Sequence, residues 1–455
     1  MTNEKPLSCG VDATVVSLVD IAINEQLSIC AGAGISRTAG LPDGHELARR
    51  LHARFDGQVN GYTCDEPDNL LAVAAAAASV RGGLEAIQRA VLELAPFGRA
   101  TPQPEHLLVA LLVAEGAVRL LLTNWDNCVE RSWQQEELLP VARNAVEAES
   151  LRGQFIRKIH GCCTQVETLL ITPDQLKDPG LWTSTHFTSE LAQSTMVFVG
   201  IGDIADYAQE SIKNLAVLVG HARIRVVSPN IDRDWEDTSD EREIGGWKKL
   251  FSDLPADRRL PFTAESFFDQ LAREWVMTLL RTVGGTINPA FTESLGAVES
   301  SFARLTAAEA LKWLRRSAVG WEVGDSVVRS PSAATAMEAI AILASRDRSA
   351  APNFTRRSAF FLGERCIEVI LLQPRQTSSD VEAAALERAR SVASRRGPQS
   401  EVTVLVSAAS MRGRARHVVE AVNVMDPDAP VDDLIDGPAS VSVNLLFADD
   451  LLRSA

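Results

Sequence analysis

Short apolar runs alternate with longer helix-like segments over residues 27–280 of the chain. Four runs have the length of a strand that is buried on both faces; they span residues 27–31, 117–123, 194–200 and 223–228. The segments with helical periodicity span residues 44–55, 70–94, 104–115, 127–138, 205–219 and 264–280. Because buried strands that alternate with helices form parallel sheets covered on both faces, this pattern predicts a doubly wound α/β domain.

The pattern changes near residue 284, where Gly284 and Gly285 precede Asn288 and Pro289 and predict a linker. We therefore predict a Rossmann-like domain over residues 1–283 and a smaller α+β domain over residues 284–455. A helical insertion at about residues 43–115 predicts a second, helical lobe in the first domain. The smaller domain combines predicted helices at 307–316, 333–344 and 380–393 with predicted strands at 366–373, 401–406 and 441–447.

Composition narrows the class of protein. The chain has 455 residues, of which 46% are apolar and 23% charged, and these fractions are typical of globular proteins. A formal net charge of −15 disfavours direct binding to nucleic acid or to anionic membranes. The apolar run at residues 70–80 is too short to span a bilayer, and the N-terminus lacks a signal-peptide pattern. Seven scattered cysteines do not suggest a disulfide framework. We therefore expect a cytoplasmic protein with no membrane partner.

The first candidate motif is Gly-Ala-Gly-Ile-Ser at residues 32–36, directly after the first predicted strand. A strand that opens into a glycine-rich turn and then a helix can hold a phosphate against backbone N–H groups. Leu41 and Pro42 follow a few residues later. The alternative is a tight turn that binds no ligand.

Polar residues also follow the later predicted strands. Thr123, Asn124 and Asp126 end the second strand, at the position where doubly wound sheets place groups that contact a ligand. Asn124 or Asp126 could instead cap the helix that follows. His160 and Gly161 form a further dipeptide motif, and a single histidine is often structural. Two more strands end in small or polar residues: Gly200, Gly202, Ser228 and Asn230.

Taken together and in this order, these motifs resemble the sirtuin family over about residues 10–280. The resemblance implies an NAD-binding catalytic domain in which Asn124 faces the nicotinamide ribose, Asp126 the carboxamide, and His160 acts as general base. It also implies a set of residues that contact the dinucleotide: Gly32, Ala33, Gly34, Ile35, Ser36, Leu41, Pro42, Thr123, Gly200, Gly202, Ser228 and Asn230. A near-neutral base and a polar group that fixes the ribose suit cleavage of the nicotinamide–ribose bond.

The sequence departs from deacylase sirtuins at two points. Those enzymes carry four zinc cysteines after the His-Gly motif, whereas this segment contains only Cys162 and Cys163, which we expect to be buried small residues. We therefore expect no zinc and no other metal. Gly44 and His45 follow Pro42-Asp43, where the deacylases have Phe-Arg. Both departures resemble the sirtuin-like NAD-hydrolysing domains of bacterial anti-phage systems.

The leading hypothesis is an NAD+ glycohydrolase that depletes NAD+ in abortive infection and produces nicotinamide and ADP-ribose. That resemblance implies a homo-oligomer, or a partner such as a translocase-type ATPase, an Argonaute or another phage sensor, which controls the activity. Two alternatives remain open. The chain could be an NAD-dependent protein deacylase or ADP-ribosyltransferase, or it could be a non-catalytic scaffold subunit that binds NAD.

Overall fold

A sheet of seven parallel strands organises the first part of the computed structural model. The strands are β1 Leu27–Ala31, β2 Arg119–Leu122, β3 Val141–Ala142, β4 Ile156–Lys158, β5 Thr195–Val199, β6 Ile224–Val227 and β7 Arg259–Leu260. Their order across the sheet is β3-β4-β2-β1-β5-β6-β7. After β1, the chain first forms β2, β3 and β4 on one side of it and then forms β5, β6 and β7 on the other side. The order therefore reverses at β1, which makes the sheet doubly wound as predicted.

The structure describes residues 5–80, 83–133, 139–151, 153–201, 206–232, 254–283, 292–347, 351–355, 357–373, 376–396, 402–408, 419–424 and 439–453. They form two compact units, the first within residues 11–272 and the second within residues 3–10 and 273–455. The chain passes from one unit to the other inside the last helix of the first unit, whereas the sequence predicts the boundary at 283/284. The predicted linker glycines, Gly284 and Gly285, lie outside the described residues.

Helices of the first unit connect and cover the strands. They are α1 Ala13–Ile23, α2 Gly44–Phe55, α3 Leu70–Ala78, α4 Gly83–Leu94, α5 Pro104–Ala114, α6 Cys128–Ser132, α7 Ala145–Ser150, α8 Pro173–Lys177, α9 Gly180–Gln193, α10 Asp206–Val219 and α11 Ala264–Val283, of which the residues from 273 onward belong to the second unit. α2 occupies the residues predicted for it and begins where the Asp43 side chain accepts a hydrogen bond from the Glu46 N–H. Such a cap satisfies one of the free N–H groups at a helix start.

The predicted helical lobe is present in α2, α3 and α4, whose buried side chains share one hydrophobic cluster. The sequence predicts a single helix over residues 70–94, and this prediction is wrong, because the chain forms two helices there. α3 begins after Asn69, whose side chain accepts from the N–H groups of Leu71 and Ala72. Gly83 starts α4 with φ +52°, a left-handed conformation that glycine adopts readily. The apolar periodicity runs through this break and does not reveal it.

Three strands of the sheet were missed by the sequence pattern, namely β3, β4 and β7. They are only two or three residues long, and β4 contains a buried lysine, Lys158. Their position is fixed by pairing with a neighbour: β4, for example, aligns Lys158 with Leu122 of β2. The predicted helix at 127–138 is shorter, since α6 ends at Ser132 and residues 134–138 lie outside the described part.

The second unit contains a mixed sheet covered by helices, as the predicted α+β class requires. Its strands are β8 Ala318–Val319, β9 Asn353–Phe354, β10 Ala359–Leu362, β11 Arg365–Leu372, β12 Val402–Ala408, β13 Val419–Val424 and β14 Ala439–Phe447. The sheet order is β13-β14-β12-β11-β10-β9, and β8 pairs with β11. Its helices are α12 Thr292–Phe302, α13 Ala307–Ser317, α14 Pro331–Asp347, α15 Ser378–Arg396 and α16 Ala448–Arg453.

None of the helices in the described ranges combines the length and the apolar character that a bilayer crossing needs.

Candidate functional site

The carboxyl ends of five parallel strands lie along one edge of the first unit's sheet. In sheet order, the residues that follow these ends are His160 after β4, Asn124 after β2, the glycine-rich turn after β1, Gly200 after β5 and Ser228 after β6. Backbone bonds tie neighbouring ends together: the Thr123 N–H donates to the Ala31 carbonyl at 3.0 Å. Ligands of doubly wound sheets bind at this edge, in the crevice where the strand order reverses.

The glycine-rich turn crosses the end of β5 at very short range. A Cβ atom on Gly34 would lie 2.6 Å from the Gly200 Cα, and one on Gly200 would lie 2.7 Å from the Ile35 nitrogen. Gly200 also has φ +65°, which side-chain-bearing residues rarely adopt. Gly32 is similarly close to Ile201. Glycine is therefore required at these positions for a steric reason, because any side chain would prevent the ends of β1 and β5 from approaching each other at the switch point.

The turn differs from the expected strand–turn–helix cradle. Residues Ala33–Ser36 form a single short 3₁₀ turn. The Gly34 N–H donates to the Gly200 carbonyl at 2.8 Å, so this group is already used within the protein. Any dinucleotide contact at this turn must therefore come from its remaining backbone groups and from side chains. Because the turn is not the start of a long helix, no helix dipole contributes here.

Ser36 is the centre of a buried hydrogen-bond network with His106, Asn124 and Asp126, which we call the Ser36 network. The Asn124 Nδ2 donates to the Ser36 Oγ at 3.0 Å and to the Asp126 Oδ2 at 3.1 Å. The Ser36 hydroxyl donates to the Asp126 Oδ2 at 2.9 Å and lies 3.1 Å from the His106 Nε2. All four side chains are buried. The network joins the turn after β1, the segment after β2 and the start of α5.

The tautomer of His106 follows from its second contact. Its Nδ1 accepts a hydrogen bond from the Gln103 N–H at 3.0 Å, so the proton of the neutral ring lies on Nε2 and is donated to Ser36. Burial lowers the pKa of His106, although the nearby carboxylates of Asp126 and Glu105 act in the opposite direction. The ring is therefore neutral at physiological pH and acts as a fixed donor.

Two of the residues predicted as catalytic, Asn124 and Asp126, lie in this network. Both donors of the Asn124 amide are used, whereas its Oδ1 is buried and has no partner among the described residues. Asp126 also accepts a hydrogen bond at its Oδ1 from the N–H of Cys128, the first residue of α6, at 3.0 Å. The N-cap position itself is occupied by Asn127, so Asp126 supports the helix start from one residue earlier and is at the same time part of the network.

His160, the third predicted catalytic residue, lies beyond the end of β4, next to the strand that leads to Asn124. The Ile159 N–H donates to the Leu122 carbonyl at 2.9 Å and so places the two segments side by side. Desolvation lowers the pKa of the half-buried His160 to about 4. Gly161 has φ +88°, and a Cβ there would lie 2.2 Å from the Thr168 carbonyl oxygen. The glycine is required for the turn that presents His160.

A buried ion pair between Lys158 and Glu130 adjoins the Ser36 network at Asp126. The Lys158 Nζ donates to Glu130 at 3.0 Å and also to the backbone carbonyl of Asp126. Although burial disfavours the ammonium, the Glu130 carboxylate raises the pKa of Lys158. The pair joins β4 to the segment that carries Asp126, and breaking it would leave a buried charge uncompensated.

Cys162 is buried and Cys163 is half-buried, and both are free thiols. The sequence predicts two buried small residues, which is right for Cys162 and only partly right for Cys163, and the surroundings of Cys162 are polar. A hydrogen bond from the Cys163 thiol, the Lys158 ammonium and the Thr164 hydroxyl lower the pKa of the Cys162 thiol, against the raising effect of burial. The Cys163 N–H donates to the Trp125 carbonyl at 2.7 Å and so links this segment to the one that carries Asn124.

The other predicted contact residues differ in their exposure. Leu41 is buried in the hydrophobic cluster of the helical lobe, Ser228 is half-buried, and Asn230 is exposed. Pro42 and Thr123 are half-buried, Ala33 is exposed, and Ile35 is buried. Gly202 lies outside the described residues.

One group of described side chains has the composition of a metal site: His106, Asp126 and Cys128, whose ligand atoms lie within 4.8 Å of one another. The hydrogen bonds argue against a metal, because His106 has no free lone pair. Its Nδ1 accepts from Gln103, and its Nε2 carries the proton. Burial also raises the pKa of the Cys128 thiol, which disfavours the thiolate that a metal requires.

His106 and its neighbour Glu105 were missed by the sequence reasoning. A signal was present, since these two are the only ionisable residues in a helix that is otherwise apolar. Buried polar groups require partners. The identity of those partners, Ser36 and Thr38, is visible only when the turn after β1 packs against the start of α5.

No protein-family model matches this chain, and no curated protein matches it. Among solved structures, the chain is similar to a complex of a Sir2 homolog with NAD, with 14% identity over 57% of this chain and 93% of the other, and a TM-score of 0.30. It is also similar to a structure from work on the mechanism and regulation of Sir2 enzymes, with 14% identity, coverage of 60% and 99%, and a TM-score of 0.33. The third likeness is to Sir2 with a p53 peptide and NAD+, with 14% identity, coverage of 57% and 97%, and a TM-score of 0.31. The fold class of the first unit rests on its own strand order.

Proposed function

We propose that the chain is an NAD+ glycohydrolase, which cleaves the bond between nicotinamide and ribose and releases nicotinamide and ADP-ribose. The observation that carries the proposal is the Ser36 network at the switch point of the sheet, with the Asn124 amide oxygen buried and unpartnered among the described residues. Doubly wound sheets bind dinucleotides at this point. The close approach of Gly34 to Gly200 beside it brings the ends of β1 and β5 together at this point.

In the proposed reaction the electron pair of the nicotinamide–ribose bond goes to the pyridine nitrogen, and positive charge develops on the ribose carbon. The Asn124 Oδ1 accepts a hydrogen bond from a ribose hydroxyl and so fixes the sugar. A water molecule forms the new bond to the ribose carbon, and its proton passes to His160. Desolvation lowers the pKa of His160 to about 4, so the imidazole is neutral and can accept a proton, but it is a weaker base than the near-neutral one that the sequence predicts.

Ser36, His106 and Asp126 are positioning residues in this proposal. They occupy both donors of the Asn124 amide, directly or through Ser36, and so determine which way its oxygen faces. Preorganised polar groups of this kind need no rearrangement when the reaction occurs.

For the biological context, we propose that NAD+ depletion serves bacterial anti-phage defence in the cytoplasm. A homo-oligomer or a partner protein would hold the activity in check, because unregulated depletion of NAD+ would kill the host. This part of the proposal rests on the resemblance of the motif set and on the missing zinc cysteines.

The test is NAD+ consumption by the full chain, with nicotinamide and ADP-ribose separated by chromatography. We expect Asn124→Ala and His160→Ala each to lower turnover by about 10²-fold or more, as loss of a catalytic group does. His45→Ala, at an exposed position, is the matched control and should retain turnover. Full turnover in both active-site variants would contradict the proposal.

The same assay separates the alternatives. Product that forms only when an acyl-lysine peptide or another acceptor is added would favour a deacylase or an ADP-ribosyltransferase. Tight binding of NAD+ without turnover, even after co-expression with the product of the neighbouring gene, would favour a scaffold subunit.

A further inference from the structure

Glu105 is a buried carboxylate with one oxygen unused. It lies in the first turn of α5 and is 2% exposed. Its Oε1 accepts a hydrogen bond from the Thr38 hydroxyl, and its Oε2 has no partner among the described residues. Burying a charged oxygen without a hydrogen bond is costly, so such an atom calls for a donor beyond those that the described residues supply.

The position of Glu105 connects it to the proposed site. Its neighbour His106 donates to Ser36, and its own partner Thr38 lies two residues after Ser36. Asn124, the other partner of Ser36, also has a buried oxygen without a partner. Both unsatisfied groups are acceptors. A ligand that satisfies both of them must therefore present hydrogen-bond donors to the Glu105 Oε2 and the Asn124 Oδ1.

Nicotinamide presents such donors, because its carboxamide carries two N–H groups. In NAD+ its ring is also positively charged, which suits a nearby carboxylate. The resemblance to sirtuins implies that Asp126 faces the nicotinamide carboxamide. In this structure its Oδ1 accepts a hydrogen bond from Cys128, and its Oδ2 accepts hydrogen bonds from Ser36 and Asn124. Both oxygens of Asp126 therefore already accept hydrogen bonds, whereas the Oε2 of Glu105 accepts none from the described residues.

Building on the proposed function, we propose that Glu105 is a specificity-determining residue whose Oε2 accepts an N–H of the nicotinamide carboxamide. The same carboxylate excludes dinucleotides with nicotinic acid in place of nicotinamide. Nicotinic acid is a carboxylate at neutral pH, so it offers no N–H donor and repels Glu105.

The experiment compares NAD+ with nicotinic acid adenine dinucleotide, by calorimetric binding and by kcat/KM, in the wild type and in Glu105→Gln. The wild type should favour NAD+ by about 10²-fold or more, because a site built to bond an N–H group rejects an analogue without it. Glu105→Gln removes the repulsion and offers a donor to the acid, so the preference should fall by about 10-fold or more. Glu85→Gln, an exposed position on α4, is the matched control and should keep the wild-type preference.

Glu105→Asp provides a second test if the glutamine variant folds poorly. It keeps the negative charge but shortens the side chain, so it should still reject the nicotinic acid dinucleotide while it binds NAD+ more weakly. An unchanged preference in a folded Glu105→Gln protein that still binds and hydrolyses NAD+ overturns this inference and leaves the proposed function intact. A wild-type chain that binds neither dinucleotide overturns both.

Discussion

Replacing Ser36 with alanine tests whether the Ser36 network positions Asn124. The substitution removes one hydroxyl that contacts His106 at 3.1 Å, Asn124 at 3.0 Å and Asp126 at 2.9 Å. Asn124 and Asp126 still bond each other at 3.1 Å, whereas the His106 Nε2 donor loses its described partner. A buried donor left without a partner costs about 1–3 kcal/mol, so we expect the free energy of unfolding to fall by about 2 kcal/mol.

The effect on turnover should exceed what this loss of stability explains. With one bond instead of two, the Asn124 amide is free to rotate, and a displacement of about 1 Å at a reacting group can cost about 10²-fold in rate. We therefore expect kcat to fall by about 10–10²-fold in a protein that remains folded at the assay temperature. Two measurements are made in the same buffer: urea unfolding, monitored by tryptophan fluorescence, and NAD+ turnover.

Ser194→Ala provides the matched control. Ser194 is also buried, and its hydroxyl contacts the Ser28 hydroxyl at 2.8 Å and the Glu190 carbonyl at 2.6 Å. It precedes β5 and therefore lies at the amino edge of the sheet, opposite the candidate site. We expect a similar loss of stability with no loss of turnover. Full turnover in Ser36→Ala, or an equal loss in Ser194→Ala, would refute the positioning argument.

Two further predictions concern the close approach of Gly34 to Gly200 and the candidate base, His160. Gly34→Ala would force its Cβ against backbone 2.6 Å away, so NAD+ binding should weaken by about 10-fold or more, whereas Gly44→Ala, where a Cβ meets nothing within 4 Å, should bind normally; calorimetry measures both. The folded-state pKa of His160, about 4, lies below its ordinary value of 6.5, so the native state binds fewer protons in this interval. The stability from His160 is therefore complete above pH 6.5 and is lost as the pH falls towards 4, by about 3 kcal/mol at most. Unfolding of wild type and His160→Asn at several pH values measures this; parallel curves for the two proteins would contradict it.

The amino-acid sequence determined the α/β class and much of the local structure. The run at residues 27–31 is a strand with the predicted bounds because every one of its side chains is buried, and α2 occupies the predicted residues 44–55. The order of strand-ending motifs also brought Ser36, Asn124 and Asp126 under consideration, since the carboxyl ends of parallel strands share one edge. Local pattern is sufficient for such features, because burial and capping act within a few residues.

The tertiary structure decided the rest. β3, β4 and β7 are too short for a periodic signal, and pairing with a neighbouring strand is what makes them strands. His106 joins Ser36 across 70 residues of sequence only because the turn after β1 packs against the start of α5. The need for glycine at position 34 likewise comes from Gly200, which follows another strand, β5. Contacts between segments distant in the chain depend on how the elements pack, and no local pattern encodes them.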